Sequence, residues 1–194
     1  MPIIAGLAAA TTLAGCVTAR QTDPPVTATE QLLISTAVDN AAAQLQLQFP
    51  PGSKVFVDAG YVDMDSTVIY PRYALASVRR RLLQLGAHLT TDRDKATVIV
   101  ELRSGAQSVN DYRMLVGTPS FSLPVPLAGN LVIPEVPLFR LHEETGISKL
   151  ALVAYDAEGR LIGEAGPHFG EARRRHWVVL FVFSRSDQNI QPDQ

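Results

Sequence analysis

Thr97-Val98-Ile99-Val100-Glu101-Leu102-Arg103 decides how this chain folds. Val98, Val100 and Leu102 face one way and Thr97, Glu101 and Arg103 the other, with Ile99 the exception. That alternation marks a strand with one buried face. Upstream, Lys54-Val55-Phe56-Val57-Asp58 reads as a second strand. Between them, Pro71 suits the first position of a helix because its fixed φ is already helical. Leu75, Val78, Leu82 and Leu85 give that helix a buried stripe, and Gly86 caps its end. A short extended piece follows at Ala87–Thr90. Strand, helix and strand so arranged predict a right-handed crossover.

Further N-terminal, Thr27 and Glu30 have capping-box spacing and start a helix near Ala28. Ile34, Ala37, Val38, Ala41, Ala42 and Leu45 recur on one face of it, and Phe49-Pro50-Pro51-Gly52 is read as its end. Toward the C-terminus, Lys149–Tyr155 is apolar on both faces, which places it centrally in a sheet. Asp156-Ala157-Glu158-Gly159 is a hairpin turn, Arg160–Ala165 the return strand, and Trp177–Phe183 a last strand. The expected fold class is α+β: a mixed, mainly antiparallel sheet with two helices packed on it, around a β-α-β-β core.

The chain has 194 residues, 46% hydrophobic and 19% charged, with a formal net charge of −2. That length suits one domain and a short targeting segment. The charge speaks against nucleic acid as a partner, since phosphate binding calls for a basic excess. A single cysteine makes no internal disulfide.

That cysteine sits in the most specific motif. Ile3 to Gly15 are small or apolar and uncharged, ending in Leu13-Ala14-Gly15-Cys16. This resembles the lipobox of bacterial lipoprotein signal peptides. The resemblance implies a diacylglyceryl thioether on Cys16, cleavage before it, and acylation of its new amine. Residues 1–15 are then a signal peptide, although the basic opening such peptides carry is absent after Met1-Pro2, as when a start codon is assigned too far downstream. Val17, in place of aspartate, implies by the same resemblance an outer-membrane address facing the periplasm. Residues 16–28 are read as the lipidated cysteine and a polar tether, and 29–194 as a single α+β periplasmic domain. By element order, Thr27 to Ser184 also resembles domains of the curli-secretion and penicillin-binding-protein-activator lipoproteins, and small envelope lipoproteins of no assigned function.

No residue pattern completes a catalytic set. Asp63-Met64-Asp65-Ser66-Thr67 matches the DxDxT motif of haloacid-dehalogenase-type phosphatases, but the Gly-Asp dipeptide that usually precedes their Mg²⁺-holding acids is missing. His142-Glu143-Glu144 opens like a zinc-protease helix, yet Gly146 stands where the second histidine belongs. His88, His142, His168 and His176 are scattered, so no metal or other cofactor is expected. Arg79-Arg80-Arg81 reads as a solvated helix face. Arg173-Arg174-Arg175 precedes the last strand, and the alternative for either cluster is a contact for anionic lipid headgroups, peptidoglycan or phosphate groups.

Residues 115–141 read as an irregular, apolar, proline-rich insert, too apolar for disorder and long enough to be functional. The prolines break the alternation a membrane-spanning hairpin needs. Phe121, Leu123, Val125, Leu127, Val132 and Ile133 form the expected partner surface. The leading expectation is a lipid-anchored, non-catalytic envelope protein that binds a protein partner or its own copies. The alternative is an envelope hydrolase or small-ligand or metal binder using Asp58, Asp63 and Asp65.

Overall fold

The computed structural model describes residues 16–21, 27–62, 70–125 and 129–190. The expected signal peptide, with Leu13, Ala14 and Gly15, lies outside them, as do Asp63, Asp65 and Leu127. The described chain runs β1 (Cys16–Gln21), α1 (Ala28–Gln44), β2 (Lys54–Asp58), α2 (Tyr70–Gln84), β3 (His88–Thr90), a 3-10 turn (Arg93–Lys95) and β4 (Val98–Thr118). There follow β5 (Phe121–Val125), β6 (Gly129–Ile133), β7 (Val136–Asp156), β8 (Leu161–Val179) and β9 (Phe183–Gln188).

This is the α+β class expected, two helices on a mixed, mainly antiparallel sheet. The main sheet is ordered β3-β2-β4-β7-β8-β9, with β1 paired to the far part of β4. β2 runs parallel to β3 and β4, and the other pairings are antiparallel. β5 and β6 form a small sheet of their own.

α1 starts where its capping box places it. The Thr27 amide donates to Glu30 Oε2 at 2.6 Å and the Glu30 amide to Thr27 Oγ1 at 3.3 Å. Its whole expected stripe, Ile34 to Leu45, is buried, together with Leu33. Each large apolar side chain so buried contributes about 1.5–3 kcal/mol. The helix nevertheless stops at Gln44, before the prolines: Leu45 turns extended, and Arg81 Nε donates to its carbonyl at 2.9 Å. α2 buries Ala74, Ser77, Val78 and Leu82, whereas Leu75 and Leu85 are only partly covered. Gly86 takes the left-handed φ of +89° that a helix end asks for.

Asp39 joins the helices. It accepts from Tyr73 Oη and Ser77 Oγ, each at 2.7 Å, and from Arg80 at 3.2 Å. The first arginine triplet is therefore only partly a solvated face, because Arg80 and Arg81 clasp α2 to α1. Where α1 crosses the sheet, glycines admit its backbone. A Cβ on Gly146 would lie 2.5 Å from the Leu33 carbonyl oxygen, and one on Gly170 would strike that of Ala37.

Three expectations need correction. The tether was to begin directly after Cys16, but Cys16–Gln21 is a strand, in register from Cys16↔Leu115 to Gln21↔Asn110. Val17 and Ala19 alternate with Thr18 and Arg20, a period-2 pattern too short to stand out. The segment 115–141 is not irregular. Strands β4 and β7, 21 residues each, run on as paired partners to Thr118↔Val136, and β5–β6 continues as a hairpin. The segment therefore projects outward and does not fold back over a sheet edge. Lastly, Trp177–Phe183 is the end of β8, the turn Leu180–Val182 and the start of β9.

The result is a helix-covered body and an arm of β4, β7 and β8, flanked by β1 and β9. The last rung touching α1 is near Val109↔Gly146. From there to Thr118 the arm extends about 30 Å, at ~3.3 Å per residue.

Candidate functional site

Near the body, the arm is tied by charges on neighbouring strands. β7 and β8 pair Glu143 with Arg175 and Glu144 with Arg174. Their side chains follow: Arg175 Nε donates to Glu143 at 2.8 Å, Arg174 to Glu144 at 2.9 Å, and Arg173 lies 3.3 Å from Glu143. The second arginine triplet is thus mostly spent inside the sheet, and with it the His-Glu-Glu sequence that opens like a zinc site. His142 Nε2 sits 3.0 Å from Asp111 Oδ1, and Arg113 forms a pair with the same carboxylate at 2.7 Å. His176 Nδ1 meets Ser186 Oγ at 2.9 Å. Register sets His142 opposite His176, a juxtaposition their spacing in sequence did not reveal. Among the described residues no group of three or more His, Cys, Asp or Glu is placed to hold a metal ion.

Asp58, at the end of β2, accepts from the Gly60 amide at 2.9 Å and from Arg93. The Gly60 hydrogen bond first, and Arg93 next, hold its carboxyl below the ordinary range. It is a committed anion in a structural loop. Its two expected companions, Asp63 and Asp65, lie outside the described residues.

Beyond the ion-paired rungs the arm changes character. No charged residue occurs from Met114 to Pro134, or from Trp177 to Ser184. Topology brings the two stretches to one end, because β4 rungs at Met114 and Leu115 continue through Leu141 and Arg140 to Trp177 and Val178. Strands normally turn their apolar side inward, yet here many such side chains face solvent. Of the expected partner surface, Phe121, Leu123 and Val132 are exposed and Ile133 is half-buried. Phe121 pairs with Ile133 across the hairpin, and Val125 closes it opposite Gly129.

The sequence reading missed the second part of this surface, the turn between β8 and β9. Phe181, Val182 and Phe183 are 65–68% exposed. Leu180 and Phe181 both adopt left-handed φ, +48° and +49°, a conformation that suits Asn and Gly and strains branched or bulky residues. The only signal was a run of seven apolar residues, Trp177–Phe183, which alone does not tell a strand from a turn. At the base of this end, Arg113, Arg140, His142 and His176 share with Leu115 and Leu141 the wall of a cleft of about 490 Å³.

A model of a family of unknown function (DUF6655) matches residues 10–179. No curated protein and no solved structure matches the chain.

Proposed function

We propose, for this chain, which belongs to the family of unknown function DUF6655, the role of a lipid-anchored protein of the bacterial cell envelope, acting as a non-catalytic binding or assembly module. The lipid is carried by Cys16, and the outer membrane facing the periplasm is the address. The observation carrying the proposal is the uncharged, exposed apolar end of the arm. A patch of that kind is a binding surface wherever it meets a partner, and the strand beginning at Cys16 pairs beside it. The lipobox-like Leu13-Ala14-Gly15-Cys16 supplies the anchor. Asp58, one of the three acids of the hydrolytic alternative beside Asp63 and Asp65, is already engaged by Gly60 and Arg93.

Expression of the full chain in a Gram-negative host, followed by intact mass measurement, tests the anchor. The expected product begins at Cys16 and carries a diacylglyceryl group and an N-acyl chain. Two or more chains hold a protein firmly to a bilayer, whereas one binds only reversibly. A product retaining residues 1–15 with a free thiol would refute the proposal. A second arm of the test is crosslinking in intact envelopes. The wild-type chain should capture a partner or its own copies, and a chain lacking residues 119–135 should not.

A further inference from the structure

We infer that the free end of the arm seats in the lipid bilayer, at the boundary between headgroups and acyl chains. The inference rests on the anchored reading above but takes the lipid surface, not a protein, as what this patch binds, so a protein capture that depends on residues 119–135 counts against it.

Three observations converge on a membrane. The first is position. Cys16 is in register with Leu115, which continues through Arg140 to Val178. Leu180 and Phe181 lie two to three residues farther out, about 7–10 Å at ~3.3 Å per residue. A lipid on Cys16 would place its own attachment point at the membrane surface and the turn just inside, with β5–β6, which continues past Thr118↔Val136, lying along the interface. Interfacial elements bury their apolar side to a depth of about 5–10 Å. The second is charge. Everything beyond Arg113 on β4 and before Arg185 on β9 is uncharged, except for Arg140 and Glu135, which neutralise each other at 3.2 Å. The third is the turn itself. Leu180 and Phe181 hold strained left-handed backbone while exposing their side chains. In water both features are unfavourable, and hydrocarbon around the side chains offsets them.

Depth is limited by hydrogen bonding. β5–β6 is a two-stranded ribbon with open edges, and unpaired amides and carbonyls are costly in hydrocarbon. The arm therefore rests in the interface and does not cross. Trp177, two residues before the turn and 39% exposed, belongs to the residue type that favours that layer.

Trp177 is the only tryptophan in the chain and sits on the arm, and the turn variants below separate seating of the arm from any membrane contact made by residues 1–15. The experiment adds vesicles of phosphatidylcholine and phosphatidylglycerol, with plain or brominated acyl chains, to the full chain carrying Cys16→Ser. Seating is expected to shift Trp177 emission to the blue, with quenching by brominated vesicles only. The double variant Phe181→Asp with Val182→Asp should partition roughly 100-fold more weakly. Leu180→Asn with Phe181→Gly relieves the backbone strain, so it folds at least as well, and should lose the quenching too. Unchanged emission on vesicles overturns the inference, as does equal quenching in the variants. A blue shift without vesicles that tracks dimer formation in sedimentation overturns it in favour of a second copy. The Cys16 mass measurement is independent: lipidated Cys16 with unresponsive Trp177 removes this inference and leaves the anchor standing.

Discussion

Gly170 of β8 lies against Ala37 of α1 so closely that a Cβ on the glycine would overlap the Ala37 carbonyl oxygen. The obstacle is backbone, which cannot swing aside as a side chain can. Gly170→Ala should destabilise the fold by about 3 kcal/mol, the upper range for overpacking. Urea denaturation checks this, and a loss below about 1 kcal/mol would mean that α1 does not sit so low.

Asp39 accepts three side-chain hydrogen bonds from α2. Its removal leaves the buried Ser77 hydroxyl and the exposed Tyr73 hydroxyl without their acceptor. Asp39→Ala is expected to cost about 1–3 kcal/mol. The double-mutant cycle with Ser77→Ala should show coupling, whereas simple additivity would show that the two do not interact.

Ser148 is fully buried on β7, and its hydroxyl has no hydrogen-bond partner among the described residues. Ser148→Ala removes the unsatisfied oxygen and leaves a small void, so stability should rise by about 1 kcal/mol. A fall on thermal or chemical unfolding would show that the hydroxyl finds a partner in solution.

The Asp58 carboxyl is held below its ordinary range chiefly by the Gly60 amide and then by Arg93. A group with a depressed folded pKa adds stability above its unfolded pKa, which is about 4, and loses it as pH falls through the folded value. Melting temperature should therefore decline below about pH 4 more steeply in the wild type than in Asp58→Asn. Parallel acid limbs would count against the Arg93 and Gly60 contacts.

Thr118 and Val136 are paired directly, so the chain can be closed there. Replacing residues 119–135 by Asn-Gly, the preferred two-residue hairpin turn, should leave the far-ultraviolet circular dichroism and melting temperature nearly unchanged. Global unfolding would show that β5–β6 is needed for the fold.

The body was legible in the sequence because its periodicities are local. α1 with its cap and stripe, β2 to the residue, and the turn at Asp156–Gly159 follow from short-range rules. The arm was not. Gly105, Gly117 and five prolines punctuate residues 104–137, and such breakers suggest loops when the pairing partner is unknown. Here a register shift between Ser104 and Gln107 absorbs the irregularity, and pairing to β7 carries the strand onward. The second arginine triplet and His142-Glu143-Glu144 were ambiguous for the same reason: their partners lie across the sheet, 30 or more residues away, as those of Arg80 and Arg81 lie on and just past the other helix. Half of the apolar surface was recognised, from Phe121 to Ile133. The turn at Leu180–Val182 escaped because seven successive apolar residues, Trp177–Phe183, read more naturally as buried strand than as an exposed bend.

Because β1 is hydrogen-bonded along β4, the sulfur-bearing residue at its start and the helix-covered body belong to one continuous ladder. A rope would let the body wander and tumble over its attachment point. With the lipid proposed on Cys16, a ladder would act as a stilt, fixing both the height and the heading of the two helices. Lengthening the residues between Gln21 and Thr27 should then leave that stance unaltered, since the load path bypasses them.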